Sequence, residues 1–387
     1  MIIRSLLDTD LYKLTMQMAV CQLYPKAKVK YQFFNRGGTK FPPGFDYLLR
    51  QEIAKMTQLR LHWREKDFLR KNCYYLTDFY LDFLEGYRFN PDEVGVVLDE
   101  GELKITIEGY WYRTILWEVP LMAIISELYF EVTGKSPNSV SEQIATNFEK
   151  AKAFQQKGAK VADFGSRRRY SYDAQLQVCK DFQSYFDSDD WFVGTSNPHI
   201  AMELGLTPLG TFAHEWVSGI AALKGYTHAN QISMEDWSQV YEGNLGIALP
   251  DTFGLDAFLV DFDTKYAKLF DGVRHDSGDP FEFTDKIVAH YKKLRIDPLS
   301  KAIIFSDGLN TDMVLRLTDH CKGKIKCSFG IGTNLTNDVG VTPLNMVIKL
   351  VLINSIPVIK LSDNSSKSIG DPKTIESVKY LINQHQI

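Results

Sequence analysis

From about residue 145 onward the chain repeats one local pattern, in which a short apolar segment ends at small or polar residues and a helix-length stretch follows. Most of these segments are separated by roughly the 25 to 35 residues of one βα unit. Eight occur: VADFGS, FVGTSN, GTFAHE, IALPDT, DGVRHDSG, AIIFSDG, CSFGIG and PVIKLSD. Eight strands that alternate with helices predict an α/β barrel.

The N-terminal part follows a different pattern. ELKITIEGYWYR alternates apolar and polar residues with the period of a half-buried antiparallel strand, and GVVLDEGELKI leads into it as a hairpin. LYKLTMQMAVCQLY and the region from Phe68 to Phe83 carry apolar residues at helical spacing. We therefore predict a mixed α+β domain over residues 1–125 and an α/β barrel domain over residues 126–387.

Composition and charge exclude several classes of function. The formal net charge of −4 lacks the basic excess of a nucleic-acid-binding protein. The longest apolar stretch is interrupted by Lys349 and Asn354, and the N-terminal one by Arg4 and Asp8, so neither a membrane span nor a signal peptide is predicted. Five cysteines without metal-ligand spacing suit a reducing compartment. We expect a cytoplasmic protein without nucleic-acid or membrane partners.

Charged and aromatic residues follow several of the predicted strands, and the strand ends of an α/β barrel meet at one mouth. GVRHDSGDP carries Arg274 and Asp276, and DFGSRRRYS carries Phe164 followed by three arginines. For any single segment, ordinary turn and cap residues are a sufficient explanation. Arginine matches carboxylate and phosphate oxygens, and an aromatic ring stacks on a flat heterocycle, so the combination favours a binding site.

Glycine-rich endings predict a phosphate site. FSDGLN, residues 305–310, and SFGIGTNLTNDV, residues 328–339, place glycines where backbone N–H groups can approach a phosphate. With carboxylates nearby to hold Mg²⁺, these loops indicate a polyphosphorylated substrate. No GxxxxGK[ST] motif occurs, and no GxGxxG opens a βαβ unit, so the usual nucleotide-binding folds are not indicated.

Several motifs in order resemble the nicotinate phosphoribosyltransferase family: LDTDLYKLTM, VADFGSRRRYS, VGTSN, GTFAHEW, RHDSGDP, FSDGLN and FGIGTNL. The resemblance extends from Asp8 to about Lys367. It implies an irregular α/β barrel joined to an N-terminal mixed domain that C-terminal residues partly complete. It also implies an enzyme that joins nicotinate to 5-phosphoribosyl-1-pyrophosphate for NAD synthesis, giving nicotinate mononucleotide and pyrophosphate, with Mg²⁺ and coupled ATP hydrolysis.

The resemblance also assigns roles to residues. His214 takes the position of a histidine that ATP phosphorylates transiently, and Phe164 and Tyr12 take the positions of rings on the two faces of the pyridine. In dimeric relatives that tyrosine comes from the other subunit, so a homodimer is implied. The remaining assignments are Arg167 and Arg274 for substrate anions, Asp276 near the ribose, and Gly308, Gly330, Gly332 and Thr333 for the 5′-phosphate.

Ser196 separates two branches of related enzymes. Nicotinamide phosphoribosyltransferases resemble this chain but carry an aspartate at that position, which would repel the nicotinate carboxylate, whereas a serine can donate to it. Ser196 therefore favours nicotinate. The alternatives left open are a nicotinamide phosphoribosyltransferase, a non-catalytic sensor of phosphorylated ligands and, from the position of Lys360, a Schiff-base aldolase.

Overall fold

Two β-sheets organise the chain in the computed structural model, which describes residues 1–186, 190–361, 370 and 372–385. The antiparallel strands are β1 (Lys28–Asn35), β2 (Val94–Asp99), β3 (Glu102–Tyr110), β10 (Met346–Ile353) and β11 (Ile356–Pro357). The parallel strands are β4 (Val161–Asp163), β5 (Phe192–Thr195), β6 (Ile247–Ala248), β7 (Gly272–His275), β8 (Ala302–Phe305) and β9 (Lys326–Ile331). The parallel sheet has the order β5-β4-β9-β8-β7-β6, and the antiparallel sheet has the order β11-β10-β1-β3-β2.

The helices fall into two groups along the chain. The first group precedes the parallel sheet and comprises α1 (Leu11–Leu23), α2 (Phe45–Lys55), α3 (Trp63–Asn72), α4 (Asp78–Gly86), α5 (Trp111–Thr114), α6 (Glu118–Thr133) and α7 (Val140–Lys157). The second group comprises α8 (Tyr172–Tyr185), α9 (Pro198–Leu204), α10 (His214–Lys224), α11 (Ala229–Tyr241), α12 (Leu255–Asp261), α13 (Thr264–Leu269), α14 (Pro280–Lys293), α15 (Thr311–Cys321), α16 (Thr333–Thr336) and α17 (Pro372–His385). Among the residues described, no helix has the length and apolar character needed to cross a membrane.

An irregular segment closes the parallel sheet. The amide of Thr195 donates to the Thr207 carbonyl at 3.1 Å, and the amide of Leu209 donates to the Thr195 carbonyl at 2.8 Å. On the other side, the Thr211 hydroxyl donates to the carbonyl of Ile247 at 3.3 Å. Residues 207–211 thus link β5 to β6, and the predicted irregular α/β barrel with an N-terminal α+β part is confirmed.

Two of the eight predicted barrel strands were wrong. GTFAHE forms no strand, and His214 already begins α10. The segment packs closely on α1, since a Cβ at Gly210 would lie 2.8 Å from the Tyr12 amide nitrogen. PVIKLSD follows a turn with positive φ at Asn354 and Ser355, so its first residue pairs antiparallel with β10 in the other sheet. Residues 362–363 of this segment lie outside the described residues.

The antiparallel sheet joins distant parts of the sequence. The predicted hairpin and strand are confirmed as β2 and β3, which pair from Asp99↔Glu102 onward. β1 lies between β3 and β10, and β10 comes from the last 45 residues of the chain. Strands on both sides of the predicted boundary near residue 125 therefore share one sheet, and β10 reaches the barrel mouth.

A buried ion network connects this N-terminal part to the barrel. The Lys13 side chain on α1 has an exposed fraction of 0%, and its Nζ lies 2.6 Å from Glu118 Oε2 and 2.5 Å from Glu215 Oε2. Glu215 Oε1 also accepts from the Tyr31 hydroxyl at 2.5 Å and from Trp111 Nε1 at 2.7 Å. Burial by itself lowers the pKa of Lys13, but the two glutamates raise it above its ordinary value. Four elements are thereby held to the start of α10.

Replacing Lys13 tests this network. Lys13→Ala should lower the free energy of unfolding by about 3–5 kcal/mol, because two buried carboxylates lose their shared cation. The matched control is Lys30→Ala, which removes a half-exposed pair with Glu108 and should cost less than about 1 kcal/mol. Urea unfolding of both variants measures the difference. Equal free energies of unfolding for the two variants would contradict a stabilising role of the buried network.

Candidate active site

Two cavities of different character meet at the barrel mouth. One has a volume of about 350 Å³ and a mainly apolar lining that includes Phe164, Tyr12 and Ser196. The other has a volume of about 650 Å³ and a polar lining. Arg167, in the turn that follows β4, lines both. A ligand with a flat apolar part and an anionic part would fit across this junction.

The apolar cavity holds its aromatic ring by a close glycine contact. A Cβ at Gly330 would lie 2.2 Å from the Phe164 ring, so only glycine on β9 leaves room for that ring. Tyr12, in the first turn of α1, lines the same cavity, and its ring centroid lies 6.0 Å from the Arg167 guanidinium carbon. Tyr12 and Phe164 of the same chain thus line one cavity.

Asp10 is a cavity residue that the sequence analysis did not select. The Ser196 hydroxyl donates to Asp10 Oδ1 at 2.7 Å, and Arg167 Nε lies 3.7 Å from Asp10 Oδ2. Burial raises the pKa of Asp10, although Arg167 acts in the opposite direction. Asp10 precedes α1 as its N-cap residue, which would explain an aspartate there, but its side chain makes no capping hydrogen bond.

His214, the first residue of α10, lies beside the segments that follow β6 and β7. Its Nε2 lies 3.0 Å from Asp276 Oδ2 and 3.4 Å from Asp251 Oδ1, while its Nδ1 lies 2.9 Å from the Thr252 hydroxyl. Burial lowers the pKa of His214 below its ordinary 6.5, although Asp251 opposes the shift. The imidazole is therefore uncharged near neutral pH, which is the form that can act as a nucleophile.

Arg274 and Ser306 hold Asp276 in place. Arg274 Nη2 donates to Asp276 Oδ1 at 2.9 Å, and the Ser306 hydroxyl donates to the same oxygen at 3.0 Å. Burial alone would raise the pKa of Asp276, but Arg274 and His214 hold it well below its ordinary value. The carboxylate is thus ionised near neutral pH.

Asp251 is the second residue that the sequence analysis missed. It follows β6 in the segment IALPDT, which was recognised as a strand ending but not as part of the site. Its Oδ2 accepts from Ser277 at 2.6 Å, whereas its Oδ1 accepts no hydrogen bond from the described residues. One ligand atom each from His214, Asp251 and Asp276 lies within 4.8 Å of the others, which is close enough to hold a cation.

The polar cavity combines glycine-rich loops with several cations. Gly308, Gly332 and Thr333 line it as predicted from sequence, together with Arg36, Arg168, Lys349 and Lys360. Burial lowers the pKa of Lys349 to about 8 and, with the neighbouring arginines, that of Arg168 to about 10. The lowered pKa values of Lys349 and Arg168 indicate that their positive charge is disfavoured in the free protein, so the cavity is suited to an anion.

The three consecutive arginines have different surroundings. Arg167 and Arg168 line the cavities. Arg169 instead makes two hydrogen bonds to Asp8, at 2.6 and 3.0 Å, and one to Glu127 at 2.7 Å. Arg169 is fully buried in this ion network and serves the structure, which the sequence of three arginines did not indicate.

Comparison with known proteins assigns the chain to a family. The sequence model of the nicotinate phosphoribosyltransferase (NAPRTase) family matches residues 159–385, and the model of its N-terminal domain matches residues 7–126. The chain belongs to the nicotinate phosphoribosyltransferase family. The nicotinate phosphoribosyltransferase of Desulforapulum autotrophicum is 50% identical over 96% of this chain and 97% of its own, and that of Chromohalobacter salexigens is 49% identical over 98% of each. The crystal structure of nicotinate phosphoribosyltransferase from Porphyromonas gingivalis superimposes with a TM-score of 0.96 at 42% identity, covering 99% of this chain and 100% of that one.

The residues predicted from the nicotinate phosphoribosyltransferase motifs come together at the barrel mouth. Most line one of the two cavities as expected, and Arg167 lines both. Gly330 is set apart from the other loop residues, because it lies under Phe164 in the apolar cavity rather than in the polar one. The structure thus places these residues together, and their roles remain predictions.

Titration of His214 tests the electrostatic account of the residues around it. Its pKa in the folded protein should lie below 6.5, because burial disfavours the charged imidazolium. Asp251→Asn should lower the pKa further, since it removes a favourable negative charge, and Lys360→Met should raise it. NMR titration of labelled histidines, assigned with His214→Ala, measures the three values. A pKa at or above 6.5 in the unsubstituted protein would contradict the assignment.

Proposed function

We propose that the chain catalyses the reaction named for its family. It joins nicotinate to 5-phosphoribosyl-1-pyrophosphate and forms nicotinate mononucleotide and pyrophosphate, with coupled ATP hydrolysis. The observation that carries this proposal is the junction at Arg167, where a cavity with a stacking ring opens into a larger cationic cavity. Such a junction suits an apolar heterocycle that reacts with a polyphosphorylated sugar.

The two substrates occupy different cavities in this proposal. The pyridine ring lies against Phe164 in the apolar cavity, with Tyr12 at its other side and its carboxylate toward Ser196 and Arg167. The phosphoribosyl group lies in the polar cavity, with its 5′-phosphate at Gly308, Gly332 and Thr333. The anomeric carbon then faces the pyridine nitrogen at the junction.

Positioning and charge stabilisation account for the chemistry. The bond from the pyridine nitrogen to the anomeric carbon forms as the carbon–oxygen bond to pyrophosphate breaks, and the electron pair leaves with pyrophosphate. The pyridine nitrogen is unprotonated near neutral pH, so no general base is required. Positive charge at Arg168 and Lys349 stabilises the leaving group, and anion binding restores the lowered pKa of Lys349 toward its ordinary value.

Mg²⁺ is the metal that this substrate implies, and the residues present fit it. Asp251 and Asp276 are paired carboxylates beside the polar cavity, and the Oδ1 of Asp251 is buried without a hydrogen bond from the described residues. We propose these two side chains as protein ligands. When bound, the ion neutralises phosphate oxygens.

His214 couples ATP hydrolysis to the reaction in this proposal. The neutral imidazole displaces ADP from the γ-phosphorus of ATP, so that a nitrogen–phosphorus bond forms as the oxygen–phosphorus bond breaks, and water later releases phosphate. Asp276 orients the ring through Nε2, and Thr252 orients it through Nδ1. Phosphorylation adds negative charge beside Arg274 and Lys360, which changes the affinity of the polar cavity for anions.

Two further predictions from the sequence belong to the proposal. A cytoplasmic location is consistent with five cysteines that form no disulfide, and it stays a prediction. A homodimer also stays a prediction, and the aromatic lining of the apolar cavity does not depend on one.

The direct test is product formation. Nicotinate or nicotinamide is offered with phosphoribosyl pyrophosphate and Mg²⁺, each with and without ATP, and mononucleotide is quantified. We expect turnover of nicotinate that ATP stimulates. Preferred use of nicotinamide would favour the other branch, for which the buried Asp10 is the one suggestive feature, because a carboxylate accepts from a carboxamide. Binding of phosphoribosyl pyrophosphate without turnover of either base would favour a sensor.

His214→Ala tests the coupling. The variant should retain phosphoribosyl transfer at the rate seen without ATP, but lose both ATP stimulation and the linked ATP hydrolysis, because no other group takes the phosphoryl group. ADP and mononucleotide are measured in the same reaction. His320→Ala, on the outer helix α15, is the matched control and should behave as the unsubstituted protein. ATP hydrolysis in step with product in His214→Ala would refute the role.

Ser196→Asp tests the choice of base. The new carboxylate would lie beside Asp10 and face the nicotinate carboxylate, so the KM for nicotinate should rise at least about tenfold, the equivalent of about 1.4 kcal/mol. Ser196→Ala removes the hydroxyl without adding charge and should cause a smaller increase. Steady-state kinetics with both bases measures the change, and thermal unfolding checks the fold. Unchanged nicotinate kinetics would contradict the specificity argument.

A further inference from the structure

Asp10 places a buried carboxylate in the cavity that receives the nicotinate carboxylate. The backbone amide of Leu11 donates to the Ser196 carbonyl at 2.7 Å, which fixes the start of α1 against the end of β5. This contact sets the Asp10 side chain against the Ser196 hydroxyl, and both residues line the apolar cavity. The geometry therefore brings an acid next to the group that was expected to recognise an acid.

When Asp10 is ionised, it accepts the only hydrogen of the Ser196 hydroxyl. A serine hydroxyl has one hydrogen, and here it is donated to Asp10 Oδ1 at 2.7 Å. Ser196 then presents only lone pairs to the cavity, and lone pairs repel a carboxylate. With ionised Asp10, the site as it stands cannot accept nicotinate through Ser196.

The two arginines that line the apolar cavity, Arg167 and Arg274, already interact with acids, and Arg274 donates to Asp276 at 2.9 Å. Arg167 is shared, because it lies 3.7 Å from Asp10 Oδ2 and 3.7 Å from Glu118 Oε1. Glu118 in turn shares Lys13 with Glu215. The groups that interact with Asp10 are Arg167, Glu118, Asp163, Tyr12, Ser166 and Ser196. Arg167 is the one cation among them, and it also interacts with Glu118 and Asp276. A third carboxylate at Arg167 would add a further uncompensated negative charge.

We propose that nicotinate binding is coupled to uptake of one proton by Asp10, an inference that rests on the proposed position of nicotinate in the apolar cavity. The proton comes from solvent. Protonated Asp10 donates to Ser196 Oγ, and the Ser196 hydrogen turns to the nicotinate carboxylate. Arg167, released from its charge interaction with Asp10, pairs with the same carboxylate. Asp10 is thus a specificity-determining residue that acts through Ser196 and Arg167.

The surroundings of Asp10 favour this protonation. The side chain is almost fully buried, and burial raises its pKa despite the guanidinium of Arg167. Nicotinamide carries no charge and can donate from its carboxamide, so it requires no proton on Asp10. The preference for nicotinate over nicotinamide should therefore grow as pH falls, which a site with a permanently ionised or neutral Asp10 would not show.

The pH dependence of KM for nicotinate tests the coupling. It is measured at saturating phosphoribosyl pyrophosphate and ATP between about pH 6 and 7, which lies below the pKa of about 8 of Lys349. In the unsubstituted protein, KM should rise with pH by up to about tenfold per unit, since each unit lowers the protonated fraction tenfold. Asp10→Asn, which is neutral and has the same shape, should keep KM within about twofold across this range.

Controls separate the outcomes. Asp173→Asn changes an exposed carboxylate on α8 and should retain the slope of the unsubstituted protein. Thermal unfolding reports whether Asp10→Asn folds, and Asp10→Ser replaces it if it does not. A flat profile in the unsubstituted protein, or an equal slope in the Asp10 variant, would overturn the coupling. Failure of the unsubstituted protein to form nicotinate mononucleotide at any pH would instead overturn the proposed function.

Discussion

The contact between Lys13 and Glu215 is the interaction on which the site depends. Glu215 directly follows His214 at the start of α10, and its carboxylate is held by groups from α1, β1 and α5. The N-terminal part of the chain therefore helps to hold the helix that places His214 against Asp276. A charged group buried at such depth requires all of its partners, so the two halves of the molecule are positioned together.

Charged side chains organise the barrel mouth. Around His214, the acids Asp251 and Asp276 lie against Lys360 and Arg274, and one oxygen of Asp251 accepts no hydrogen bond from the described residues. In the polar cavity, Lys349 and Arg168 have lowered pKa values that an anion would restore. At the apolar cavity, Arg167 is divided between Asp10 and Glu118. These groups lie where the proposed substrates would place their anionic parts.

Asp10 and Asp251 show why part of the site could not be predicted. Both occupy positions where aspartate is ordinary, a helix N-cap and a turn after a strand, so their residue types carried no signal of function. GTFAHE had the apolar pattern of a strand, but it packs on α1 through Gly210, and His214 begins a helix instead. Tertiary contacts overrode the local pattern in that segment, and the arginines at 167 and 169 were assigned different roles by their partners alone.

The sequence by itself determined the βα rhythm, the separate α+β region and the ordered motifs, because apolar periodicity and the residue types at strand ends are local properties. It also determined which side chains could stack, bind anions or accept a phosphoryl group. The tertiary structure alone decided that residues 207–211 close the barrel, that β10 joins the N-terminal sheet, and that Asp10 faces Ser196. Those decisions depend on contacts between residues up to several hundred positions apart, whose distances no local pattern specifies.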